Sequence, residues 1–87
     1  MFRLWIKEWK DNRLVKDMVV TDDTTDTRTH KILNSLEKAC YELDLSKPIW
    51  LESNQKEFLR RNRTRFSKDN FVEAISFDYL EIQIIEE

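Results

Sequence analysis

Apolar and polar residues alternate in two stretches near the start of the chain, FRLWIKEW and LVKDMVVT. A period of two is the signature of a strand with one face on a core, and the turn-forming pair Asp11-Asn12 lies between them, so the pattern predicts a β-hairpin. The loop length decides which residues meet. A two-residue loop sets Lys7 opposite Lys16 and Ile6 opposite Asp17, whereas a three-residue loop over Asp11, Asn12 and Arg13 pairs Lys7 with Asp17 and Glu8 with Lys16. The second register is the favourable one, because it also places Ile6 opposite Met18 and Leu4 opposite Val20 on one face, with Trp5 opposite Val19 and Trp9 opposite Val15 on the other. Both faces of the hairpin then carry apolar side chains.

After the polar bridge TDDTTDT the period changes. Ile32, Leu33, Leu36, Ala39, Cys40 and Leu43 recur three or four residues apart, which predicts a helix with one core face, with Asp26 and Thr27 as candidate N-caps. Pro48 ends that pattern, and Ile49-Trp50-Leu51 has the character of a short strand or a buried loop. Ser53 or Asn54 can cap a second helix with Glu57 in its first turn. Continued at about 100° per residue, that helix gathers Phe58, Leu59 and Phe66 on its core side and places arginines on both flanks. The stretch SKDNFVEAIS is either a helical turn or an irregular link. FDYLEIQII closes the chain as a strand, with Leu80, Ile82 and Ile84 on its apolar side and Phe77 and Tyr79 on the other. The predicted architecture is α+β: an N-terminal β-hairpin and a C-terminal strand in one antiparallel sheet, with two helices packed on one face.

Composition narrows the function classes. Eighty-seven residues with no Gly, one Pro and 37% charged residues describe one small domain rather than a linker or tail. No apolar run approaches the roughly 20 residues that span a bilayer, and Arg3, Lys7, Glu8 and Lys10 interrupt the N-terminus where a signal peptide needs an apolar core, so the expected location is cytoplasmic, with no membrane partner. Cys40 has no second cysteine to bridge to. With His30 ten residues away along the same helix, the two stand about 15 Å apart and do not make a catalytic pair. Asp22, Asp23 and Asp26 lack the spacing and the Gly of a calcium loop and suit turn and capping roles. Zero glycines exclude the usual phosphate-cradling loops. No catalytic residue, metal ligand or cofactor is predicted.

Net charge is −2, but residues 56–68 hold six Lys or Arg and one Glu, a local +5 that leaves −7 for the remainder. Basic residues interleaved with aromatics are what single-strand binding surfaces use, so Arg60, Arg61, Arg63, Arg65 and Lys68 form a candidate nucleic-acid-binding set. The acidic C-terminal fifteen residues, with five acids and no base, offer these arginines an internal counter-charge instead. The other candidate surface is the outer sheet face with Trp5, Trp9, Val15, Val19 and Tyr79, too aromatic for two helices on the opposite face to cover. The stretch THKILNSLEKACYELDLSKPIWLESN, followed by FDYLEIQIIEE, resembles a group of short uncharacterised bacterial proteins; the resemblance implies an intracellular bacterial protein and brings no activity with it. The sequence thus favours a protein-interaction module, one able to self-associate through its sheet face, over a nucleic-acid binder.

Overall fold

The computed structural model describes residues 1–87. Its order is β1 (Phe2–Lys10), β2 (Arg13–Asp22), α1 (Arg28–Glu42), α2 (Glu52–Arg61), β3 (Arg63–Phe66), a single 3-10 turn (Lys68–Asn70) and β4 (Tyr79–Glu86). The strands make one antiparallel sheet in the order β2-β1-β4-β3, so the terminal strand enters the middle beside β1. This is the predicted α+β arrangement with one strand more.

The hairpin keeps the preferred pairing from Phe2 opposite Asp22 to Glu8 opposite Lys16, but by a different device. Asp11 and Asn12 alone make the loop, both with positive φ (52° and 62°). Two successive residues with positive φ define the hairpin turn whose twist matches the strands, and Asp and Asn tolerate that region better than other non-glycine residues. A register shift between Glu8 and Trp9 then pairs Trp9 with Leu14 and leaves Val15 as the extra residue of a bulge. The predicted three-residue loop, and Val15 opposite Trp9, are corrected accordingly. Asp78 ties the turn down by accepting from the Asp11 N–H at 2.8 Å.

Helix α1 begins as its pattern predicts. Thr27 is the N-cap, its hydroxyl accepting from the His30 N–H, and Ile32, Leu36, Ala39 and Cys40 are buried, while Leu33 is exposed. Helix α2 is shorter than its pattern suggested. It starts at Glu52, where Asn54 Oδ1 accepts from the Leu51 N–H, and it ends at Arg61 because Asn62 takes the left-handed conformation (φ 56°). Arg63–Phe66 therefore leave the helix as an edge strand paired with β4, Thr64 and Phe66 inward and the two arginines outward. Leu59, predicted to face the core, is 79% exposed.

The core lies between the helices and the inner sheet face, where Leu4, Ile6, Leu80 and Ile82 have no exposed surface. Ile49–Leu51 form no strand. Trp50 instead packs edge-on against Phe58 and Phe66, at 5.5 and 5.0 Å between ring centres. Phe77 also turns inward, edge-on to Phe71 at 6.2 Å, which corrects its predicted place on the outer face. Two buried amides hold these irregular segments to the sheet. Asn54 donates to Thr64 Oγ1 and to the Arg65 carbonyl, and Asn70 donates to Asn54 Oδ1 and to the Ile49 carbonyl, so the polar atoms left by the loops are satisfied in one network.

Candidate interaction surface

The outer sheet face is built by strand alternation alone. β2 contributes Val19, Asp17 and Leu14; β1 contributes Trp5, Lys7 and Trp9; β4 contributes Gln83, Glu81 and Tyr79; β3 contributes Arg63 and Arg65. Neither helix covers this side; α2 reaches only its β3 edge, where Glu57 and Arg61 share a cleft with Arg63, Arg65 and Glu81. The segments that could have folded over it, Pro48–Leu51 and Ser67–Ser76, pack inward through Trp50 and Phe71. Four of the five residues predicted for this face, Trp5, Trp9, Val19 and Tyr79, are brought together, and Val15 stands exposed beside them at the bulge with Leu14 in its expected place.

Glu81 organises the centre. Its Oε1 accepts from Trp9 Nε1 at 3.1 Å and lies 3.2 Å from Lys7 Nζ, while Oε2 lies 3.5 Å from Arg65 Nε. Lys7 also donates to Gln83 at 3.1 Å, and its ammonium sits 3.9 Å from the centre of the Trp5 ring. Arg65 lies over Tyr79 at 4.4 Å, and Trp5 Nε1 donates to Asp17 at 2.9 Å. The aromatic rings lie beside the ions they hold, so the Lys7 and Glu81 side chains are only 8% exposed although no other element covers them. Burial pulls the Glu81 carboxyl upward, but the Lys7 hydrogen bond and charge, the Trp9 N–H and the Arg65 charge outweigh it and hold the group below the ordinary carboxylate range. On the inner side of the same strand pair Glu8 has the opposite fate. Burial pushes its carboxyl above the ordinary range, with the Lys16 charge opposing only in part.

The basic segment is divided among three elements. Arg60 and Arg61 end α2, Arg63 and Arg65 stand on β3, and Lys68 lies in the 3-10 turn. Only Arg65 meets an acid of the C-terminal strand; Arg60, Arg61, Arg63 and Lys68 have no carboxylate within 4.0 Å, so the expected internal neutralisation holds for one residue of the five. Two polar clefts of about 520 and 240 Å³ run along the α2–β3 corner, lined by Arg60, Arg61, Arg63 and Arg65 with Glu57. The placement of Arg63 and Arg65 on the same sheet face as the tryptophans is the feature that a helical reading of the segment missed. Its signals were the strict alternation of Arg63-Thr64-Arg65-Phe66 and an Asn at 62, a residue able to end a helix in the left-handed region.

Elsewhere, a groove of about 420 Å³ opens between the helices over Ile32, Trp50 and Phe58, with Leu33 and Leu59 as its lips. His30 is exposed and paired to Asp26 at 2.8 Å, whereas Cys40 is buried in the core, so the two do not meet. No helix is long and apolar enough to cross a membrane. No protein-family model, no curated protein and no solved structure matches the chain.

Proposed function

We infer that this chain is a cytoplasmic, non-enzymatic protein-interaction module whose working surface is the outer face of its sheet. One observation carries this: a four-stranded sheet has helices on one side only, and its bare side presents Trp5, Trp9, Tyr79 and exposed Val19 and Leu14. Trp, Tyr and Arg are the residues most often found to anchor protein interfaces, and they are concentrated here. The charged residues among them are held by their neighbours, so a partner meets a pre-arranged surface and loses little side-chain freedom on docking. The test uses protein diluted until monomeric, with Trp50 replaced by Phe so that only the two outer tryptophans report. Acrylamide should quench both readily; shielding of both would show that no open face exists.

A nucleic-acid reading rests on a separate observation, that Arg60, Arg61 and Arg63 lack internal partners and Arg63 shares the aromatic face. Cations beside exposed rings suit a single strand, the phosphates following the arginines and the bases stacking. Against it, Glu81 stands in the middle of that same face and Asp17 at its β2 edge. Affinity for a thymidine oligonucleotide that fell steeply with salt, and that was lost with Arg60, Arg61 and Arg63, would favour this reading. An apolar protein contact is far less salt-sensitive.

A further inference from the structure

Resting on the sheet-face reading above, we propose that the partner this face fits is a second copy of the chain, docked face to face with β2 lying over the partner's β3. The charge order across the strands carries the proposal. Asp17 is opposite Lys7, Lys7 is opposite Glu81, and Glu81 is opposite Arg65, so one row crosses the whole sheet as minus, plus, minus, plus. Such a row becomes its own complement when reversed. A two-fold axis parallel to the strands reverses it: Asp17 then faces the partner's Arg65, and Lys7 faces the partner's Glu81. An axis perpendicular to the strands would set Asp17 against the partner's Asp17 and Arg65 against the partner's Arg65, which costs energy.

The flanking rows agree. On one side Trp9 and Tyr79 exchange places, so that each ring meets the other type across the interface. On the other side Arg63 comes over the partner's Val19 and the edge of the partner's Trp5. Within one copy Lys7 and Arg65 share the single Glu81 carboxylate and Asp17 accepts only from Trp5 Nε1, so the ends of the row keep unmatched charge and decide the geometry. Asp17 is exposed and the Arg65 side chain is 59% exposed, leaving both available to a second copy. The same alternation argues against a polyanion, because a phosphate chain crossing the face would meet Asp17 and Glu81 as well as the cations.

The size of the face sets the strength. Strands about 4.8 Å apart and about eight residues long make a four-stranded face of roughly 500 Å² per copy, or about 1,000 Å² for the pair. That is the lower end of specific interfaces, so the dimer should be weak, with a dissociation constant of roughly 10 to 100 µM.

Sedimentation equilibrium from about 10 µM to about 1 mM brackets that affinity. The wild-type chain should pass from monomer to dimer across this range. Asp17→Lys and Arg65→Glu should each weaken association by about tenfold or more, since each places like charges at both ends of the row. An equimolar mixture of the two variants should restore a dimer, because each then meets its opposite in the other. Where circular dichroism shows that Arg65→Glu has lost its fold, Arg65→Gln replaces it, and its mixture with Asp17→Lys should associate more tightly than either variant alone, because the mixed dimer keeps one Asp17–Arg65 pair. A dimer indifferent to either substitution, or a mixture that stays monomeric, overturns the proposal. A wild-type chain monomeric at about 1 mM, well above the expected affinity, also overturns it. In that case, outer tryptophans open to acrylamide leave the sheet-face reading standing with another partner, shielded ones end both, and protection of these tryptophans by a thymidine oligonucleotide assigns the face to nucleic acid.

Discussion

The two faces of the sheet are made from alternate residues of the same strands and become dry in different ways. On the inner face, Leu4, Ile6, Leu80 and Ile82 are sealed by side chains from both helices and from the loops after them. On the outer face, Lys7 and Glu81 are almost as well hidden, but by their own neighbours: Trp5, Trp9, Gln83 and Arg65. An inner residue thus depends on the tertiary fold, whereas an outer one depends on the sheet alone. The carboxylates report the difference. Glu8, turned inward without a hydrogen-bonding cation, is pushed up, and Glu81, turned outward among donors, is held down.

The largest expected contrast is in packing. Ile82→Ala should cost about 2 to 5 kcal/mol in urea unfolding, because it empties a site with no exposed surface, whereas Val19→Ala on the outer face should stay within about 0.5 kcal/mol. Equal losses would break the distinction between the faces. Cys40 sharpens the inner side. Burial pushes its thiol up to about 11 from an ordinary 9.0, so near pH 8 its thiolate fraction should be about a hundredfold below that of the unfolded chain. Reaction with a disulfide reagent should be slower still, since the reagent must also reach the sulfur. Labelling of the native protein at the denatured rate would place Cys40 outside the core.

The outer network comes next. Glu81→Gln removes the charge and one of the two acceptor oxygens that hold Lys7, Trp9 and Arg65, and it should cost about 1 to 3 kcal/mol near neutral pH. Because Glu81 titrates below its unfolded value, its contribution is present above the ordinary carboxylate range and is lost as pH falls through the folded value. The difference between wild type and Glu81→Gln should therefore shrink on acidification. Glu8 gives the smallest effect and the opposite sign. A raised carboxyl costs stability at neutral pH, and that cost disappears as pH falls through its folded value, so Glu8→Gln should be neutral or slightly stabilising at pH 7 and indistinguishable from wild type in acid. Thermal unfolding of the three proteins at two pH values separates the cases.

Most of the fold was legible because the strands and α1 obey single periods over long runs. Alternation placed Leu4, Ile6 and Ile82 inward, and the charge pairing of Lys7 with Asp17 chose the correct register even though the loop length was wrong. Alternation says which residues must be paired, and a bulge at Val15 can reach the same pairing as a longer turn. Legibility failed where a segment is too short for its period to show. Arg63–Phe66 has four residues, and both a helix and a strand can place Phe66 inward, so the arginines changed surfaces when the segment changed type. Phe77 was misplaced for a related reason: the strand begins only at Tyr79, so alternation does not extend back to it. The aromatic face was read from the hairpin itself, but its ionic centre required the unseen neighbour relation of β1 to β4.

A partner docked on the outer sheet face would be reported by the indole N–H resonances of Trp5, Trp9 and Trp50. Two of these indoles lie on that face and the third packs against Phe58 and Phe66 on the inner side. In a dilution series followed by nitrogen–proton correlation spectra, the Trp5 and Trp9 indole signals should shift with concentration, together with the backbone signals of Val19 and Arg65, while Trp50 stays fixed. Shifts confined to Trp50, Leu33 and Leu59 would put the contact in the groove between the helices and rule out the outer face.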